Sequence, residues 1–322
     1  MHEAARSRRL RGYALAVLAA ACWATGGLTA KWLFTASSAA TSGWPVPPLG
    51  ISIDPGVLSG ARAFSAFLLL AAVLALFRRR DLPVAVKDVP FLAVFGIAGL
   101  AMVHFTYFKT ISLTNVATAI LLEYLAPILV LAVSVLFMKH RLTWTLPVGV
   151  ALSVSGSALV VGAFGGSGLV VSPAGIAWGL ASAFFFATYT LMGTVAGRRF
   201  SPYTTLVWGL GFAALFWLVV LGPARVLSPF ADPRAAAAIL FVAVVSTIVP
   251  FSAFLTALKY IPPTNATVTS TLEPVLAGVG AFVLFGESLT PLQIVGGLLV
   301  IAAIAVVQLP ERDPLRTLPP QD

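Results

Sequence analysis

Apolar residues in this chain fall in long runs, without the alternation of a half-exposed strand or the single stripe of a surface helix. A helix needs about 20 predominantly apolar residues to cross the ~30 Å hydrocarbon layer of a bilayer. Windows of that kind lie at 12–33, 57–77, 90–108, 115–138, 143–163, 174–196, 203–222, 236–257, 266–286 and 290–309. Polar residues, prolines or glycines separate them. The pattern therefore predicts an all-α polytopic membrane protein with ten transmembrane helices. Of the charged residues, only Lys31, Arg62, Glu123 and Glu273 fall inside the windows.

Composition agrees. Of 322 residues, 59% are hydrophobic and 10% charged, with a mean hydropathy of +0.98, which excludes an ordinary soluble enzyme, where about 25% of residues are charged. The net charge of +9 is a matter of orientation. With the N-terminus inside, fifteen Lys and Arg residues, from Arg6 and the Arg78–Arg80 run to Arg312 and Arg316, face the cytoplasm, and only Lys31, Lys109, Arg225 and Arg234 face outward. Cytoplasmic loops carry such an excess, so both termini are expected in the cytoplasm and the protein in the cell (inner) membrane. No nucleic-acid partner is expected, because the basic residues form no single patch. The Arg6–Arg11 segment followed by an apolar run mimics a secretory signal, but the run is too long and is expected to stay as an uncleaved first helix. Residues 34–56, with Trp44, Pro45, Pro47, Pro48 and Pro55, form the longest external loop. The single cysteine, Cys22, permits no intramolecular disulfide or thiolate zinc cluster, and neither metal nor cofactor is expected.

The chain also repeats itself. At a shift of 150 residues Thr106 pairs with Thr256, Lys109 with Lys259, Thr114 with Thr264, Asn115 with Asn265 and Glu123 with Glu273. At a shift of 147, Pro127 pairs with Pro274, Leu142 with Leu289 and Gly149 with Gly296. An earlier three-residue gap would instead pair Glu123 with Ser270. A weaker match at 163 sets Ala20, Ala24 and Thr25 against Ala183, Ala187 and Thr188. Five spans thus repeat as five, and an odd number reverses direction, which predicts two inverted five-helix repeats. The expected organisation is a basic N-terminus (1–11), a first repeat (12–163), an external linker (164–173), a second repeat (174–309) and a cytoplasmic tail (310–322).

Trp23-Ala24-Thr25-Gly26, Phe108-Lys109 before a Thr-Asn segment, Glu123-Tyr124-Leu125-Ala126-Pro127, and Leu272-Glu273-Pro274-Val275 followed by Gly286-Glu287-Ser288-Leu289 resemble the drug/metabolite transporter superfamily, EamA-like branch. The resemblance covers nearly the whole chain. It implies ten helices in two inverted repeats, a central cavity and alternating access, with substrates ranging over amino acids, nucleosides, sugars and other metabolites. The chain departs from the pattern at Met138-Lys139-His140-Arg141, where such families often carry a Gly-Glu pair, and in its long external loop.

Several residues could carry function. Arg62 lies on the order of 8 Å below the outer end of its span and must face protein or water. It suits a substrate carboxylate or an acidic partner, the alternative being snorkelling or a structural ion pair. Glu123 lies near the bilayer midplane, where an ionised carboxylate is poorly solvated, which suits a proton-coupling group or a partner for a substrate ammonium. Pro127, four residues on, cannot donate to the Glu123 carbonyl. Glu273, beside Thr269, Ser270 and Pro274, is expected to serve an inner part of the path. His104 and Tyr107 are expected at an outer gate, with no metal role for the histidine. Trp23 and Tyr189 are expected in an aromatic cavity wall. Thr114-Asn115 and Thr264-Asn265 are expected to cap helices.

Together these residues predict a secondary-active exporter of a small polar or zwitterionic metabolite such as an amino acid, working by alternating access. Substrate binding is assigned to Arg62, Glu123, Trp23, Tyr189, His104 and Tyr107, and coupling or gating to Glu123, Glu273, Pro127 and Pro274. The expected partners are a small-molecule substrate, the lipid bilayer and protons, with the chain a monomer or homodimer. No GxxxxGK[ST] loop is present for a primary pump. An integral-membrane enzyme or a non-transporting scaffold or receptor is the alternative.

Overall fold

The computed structural model describes residues 2–34, 48, 50–51, 53–163, 169, 172–286 and 288–309. Most of the expected external loop, the 164–168 part of the linker, Glu287 and the tail with Arg312 and Arg316 lie outside the described residues. The described chain is helical: α1 His2–Phe34, α2 Pro55–Phe77, α3 Val86–Leu113, α4 Val116–Leu136, α5 Thr145–Val160, α6 Pro173–Ala196, α7 Pro202–Leu221, α8 Pro233–Ala257, α9 Pro263–Phe285 and α10 Pro291–Gln308. Nine are long and apolar enough to cross a bilayer, and α5 is a shorter apolar helix. Starts follow local chemistry. Proline occupies the first turn of α2, α6, α7, α8 and α10, where its missing N–H costs nothing. Asp54, Ser172, Ser201, Asp232 and Thr290 cap those five helices with side-chain oxygens.

Packing carries the mark of the duplication. α1 packs on α8 and α9, while α6, its counterpart, packs on α3 and α4; α2 packs on α7, and α5 on α10. Exchanging the halves leaves this set of neighbours unchanged, as a twofold axis requires. Five helices per half make the halves run in opposite senses, two inverted five-helix repeats. Along the α5–α10 seam the backbones nearly touch: a Cβ at Gly156 would sit 2.8 Å from the Gly296 carbonyl oxygen. Small residues allow such contact in a membrane, where packing drives helix association.

The irregularities repeat as well. α3 widens into a π-helical stretch at Phe95–Ala101 and α8 at Val244–Ile248, the two ends being 147 residues apart. α4 breaks at Tyr124–Leu125, between Val116–Glu123 and Ala126–Leu136; α9 breaks at Thr271, between Pro263–Ser270 and Leu272–Phe285. Aligning the segments places Ser270 opposite Glu123 and leaves Glu273 opposite Ala126, so the glutamates do not occupy equivalent helix positions. The same register corrects one capping assignment. Asn115 caps α4 by accepting from the Thr118 N–H, but Asn265 lies inside its helix, and its amide donates to the Tyr13 hydroxyl and the Val307 carbonyl, both at 2.7 Å.

Lys139 and Gly286, also 147 apart, both take positive φ, 56° and 69°. Gly286 is the left-handed C-cap of the fourth helix of its half, and Lys139 turns the chain three residues beyond the end of the corresponding helix at Leu136. Glycine adopts that conformation freely, whereas a side chain costs about 1–2 kcal/mol there. Lys139→Gly is therefore expected to stabilise the protein by about 1 kcal/mol, and Lys139→Val, with its branched Cβ, to destabilise it. Thermal unfolding of the purified protein checks both signs.

Candidate functional site

A cavity of about 110 Å³ lies between the halves, lined from α1, α2, α3, α4, α6, α8 and α9. Its rim carries Ile51, Ile53 and Ala238, near the start of α2 and of α8, on the side away from Arg6–Arg11. Pockets for drug-sized ligands run to about 300–1,000 Å³, and a cavity of about 150 Å³ holds benzene, so this one suits a small solute. Most of its wall is aromatic or aliphatic, and an arginine and two glutamates break the apolar surface: Arg62, Glu123 and Glu273.

Arg62 stands about two turns into α2, 6% exposed. Its side chain reaches across to the π-helical stretch of α8, where Nε donates to Thr247 Oγ1 at 2.5 Å and a terminal nitrogen donates to the Ser246 carbonyl at 2.7 Å. A π turn displaces the regular helical ladder, so a carbonyl there can serve another partner. The guanidinium lies 5.9 Å from the Phe108 ring centroid. Among the described residues it makes no ion pair, and these are its two hydrogen bonds, out of five N–H donors on a guanidinium. The arginine points inward rather than snorkelling.

Glu123 is the last residue of the first α4 segment, and its carboxylate accepts from the Ser182 hydroxyl of α6. Glu273 opens the second α9 segment and accepts from the Tyr124 hydroxyl at 2.6 Å. The same hydroxyl lies 2.9 Å from the Ser270 carbonyl. A phenol has one proton to give, so it serves one of these acceptors at a time. Glu273 was expected on an inner part of the path; instead it shares the cavity with Glu123 and Arg62, because the break in α9 turns it toward α4.

His104, Tyr107 and Trp23 also line the cavity. The His104 ring meets Phe251 edge-on at 5.1 Å, and its buried Nε2 has no hydrogen-bond partner among the described residues. Described residues contain no group of three His, Cys, Asp or Glu placed to hold a metal. Trp23 packs on Phe186, Phe251 and Phe254 at 6.0, 5.3 and 5.5 Å, forming the floor. Tyr189 is fully buried beneath it, against Phe251 and Phe254, and does not line the cavity. Pro127 and Pro274 do not line it either; they sit in the first turns of the second segments of α4 and α9. Beyond Trp23 the packing is dense. Every residue of Pro263–Ser270 is buried, and Tyr13, Asn265 and the Val307 carbonyl are joined by hydrogen bonds.

Sequence reasoning missed Tyr124, Ser182, Thr247 and Phe108 as partners of the charged groups. Tyr124 and Phe108 were visible within the quoted motifs; Ser182 and Thr247 are ordinary helix residues in sequence.

The EamA-like transporter family model matches residues 10–162 and 173–309. The uncharacterized inner membrane transporter YicL of Salmonella typhimurium is 29% identical over 230 residues, 70% of this chain and 75% of its own. The threonine/homoserine exporter RhtA of Escherichia coli is 27% identical over 261 residues, 77% of this chain and 80% of its own. The probable terminal-alkyne amino-acid exporter of Streptantibioticus cattleyicolor is 28% identical over 227 residues, 69% and 73% of the two chains. A solved crystal structure 21% identical in sequence shares the fold, with a TM-score of 0.71 over 94% of this chain and 96% of its own.

The place of Ile51 and Ala238 in the cavity lining and the burial of Pro263–Ser270 predict a labelling pattern. In a Cys22→Ser background, Ile51→Cys and Ala238→Cys should react with a membrane-impermeant maleimide added from outside intact cells, and Thr267→Cys should not. Labelling of Thr267→Cys alone would contradict the direction of opening.

Proposed function

Because this chain belongs to the EamA-like transporter family, we propose that it exports a small zwitterionic metabolite of the amino-acid class across the cell (inner) membrane by proton-coupled alternating access, both termini being cytoplasmic. One observation carries the substrate class: a cationic Arg62 and two carboxyls, Glu123 and Glu273, contributed by both halves, meet in one small apolar cavity. A zwitterion fits that charge pattern. Its carboxylate takes the guanidinium donors left over from Thr247 and Ser246, and its ammonium takes the carboxyls. The apolar walls suit a short side chain. Two similar proteins named for amino-acid export support the class, RhtA and the alkyne amino-acid exporter.

Coupling follows from competition. A substrate ammonium and a proton both neutralise the carboxyls, and a desolvated site holding one excludes the other. Protons entering from outside then displace the substrate, and substrate arriving from the cytoplasm displaces the protons, which makes an antiporter. Tyr124 links that chemistry to the fold. When Glu273 is ionised the phenol donates to it; when Glu273 is protonated the phenol is released to the Ser270 carbonyl at the end of Pro263–Ser270, the segment that closes the inner route. Inverted repeats supply the opposite state by exchanging the conformations of the two halves.

Flux in proteoliposomes tests both parts. Hydrogen bonds to charged groups contribute about 1.5–3 kcal/mol, so Arg62→Ala should weaken apparent affinity for a threonine-like substrate roughly 10- to 100-fold. Glu123→Gln should flatten the pH dependence and uncouple flux from a proton gradient. Normal affinity in the first variant, or an unchanged pH profile in the second, would overturn that part of the proposal.

A further inference from the structure

A second concavity, of about 360 Å³, lies on the outer flank of the bundle between α2 and α7, lined by Phe67, Ala71, Trp208, Gly211, Phe212 and Leu215 among others. These residues recur every three or four positions, so each helix contributes one face. Its α7 wall runs from Val207 to Leu215, about 12 Å at 1.5 Å per residue, close to one leaflet of a ~30 Å hydrocarbon layer. The groove ends at Leu82, whose carbonyl accepts from the Trp208 indole N–H at 2.8 Å. That bond ties the connection after α2 to α7 and holds the exposed run Arg78, Arg79 and Arg80 at the groove's polar end.

The opposite half of the same α2–α7 seam is filled. There the short helix Pro223–Leu227 covers the helices, and Val226 is fully buried, close enough that a Cβ on Gly60 would lie 3.2 Å from it. Nothing comparable among the described residues fills the half beside the arginines. Arg78 is partly satisfied by Asp81 at 3.6 Å and by the Tyr203 ring at 4.7 Å, and the Nε of Arg79 donates to the Ala75 carbonyl. The terminal nitrogens of Arg79 and the side chain of Arg80 stay exposed.

We propose that this groove is a binding site for an anionic phospholipid, one acyl chain lying along α2 and α7 and the phosphate held by Arg79 and Arg80. Shape and charge point to the same ligand: an apolar channel one leaflet deep, closed on the protein side and ending at clustered cations, which is where anionic headgroups gather. The site is separate from the central cavity and does not depend on the transport assignment.

Native mass spectrometry and thermal unfolding of the full chain in detergent, with added phosphatidylglycerol or phosphatidylcholine, test it. The wild type should retain one phosphatidylglycerol through desolvation and unfold several degrees higher with it than with phosphatidylcholine. Leu215→Trp, at a lipid-exposed position that folding tolerates, should block the groove and remove both effects; Ala71→Phe should do the same from the other wall. Arg79→Gln with Arg80→Gln should abolish the preference for phosphatidylglycerol. Retention of the adduct in both groove variants would assign binding to scattered surface charge and overturn the proposal. Equal effects of the two lipids in the wild type, or a dimer that buries this flank, would also overturn it.

Discussion

Hydrocarbon does not solvate charge, so an arginine within the membrane layer must be enclosed by polar protein groups or water. Arg62 meets that constraint by reaching a neighbouring helix exactly where its ladder is irregular, so that the Ser246 carbonyl and Thr247 hydroxyl of α8 accept from it. The π-helical stretch displaces the Ser246 carbonyl from the regular ladder, and the Thr247 hydroxyl accepts from Arg62 while donating to the Val242 carbonyl. The glutamates follow the same rule. Glu123 ends a helical segment and Glu273 begins one, and each has a hydroxyl from another helix beside it. Polar function in this bundle is therefore concentrated where helices are broken, because intact helices keep their hydrogen bonds to themselves.

The duplicated scaffold and the charged site do not share their symmetry. The ends of the π-helical stretches, the helix breaks and the left-handed residues recur at an interval of 147 residues, and the helix contacts interchange between the halves. The carboxyls lie on opposite sides of their respective breaks, with Ser270 standing where the first half has Glu123. The frame is symmetric, while the set formed by Arg62, Glu123 and Glu273 in the cavity is not. The end of the bundle nearer Tyr13 adds another asymmetry, since Asn265 ties α9 to Tyr13 and Val307, whereas its sequence partner Asn115 caps α4.

Much of this was legible in the residues alone. Ten apolar windows and the internal match determine the class, the count and the repeat, because a bilayer demands long apolar helices whatever their partners. The charged candidates were equally legible: a charge inside such a window is expensive, and Arg62, Glu123 and Glu273 stand out on that ground alone. What could not be read was which groups meet. Glu273 was expected on an inner part of the path and Tyr189 in the wall, yet the first lines the same cavity as Glu123 and the second does not line it.

The physical reason is one of range. Hydropathy and proline are properties of a residue and its near neighbours, so the string of amino acids determines where helices begin, end and weaken. The partnership of Arg62 with Thr247 spans 185 positions, and that of Tyr124 with Glu273 spans 149. Such meetings depend on how helices rotate and cross once packed, and only the tertiary structure decides them.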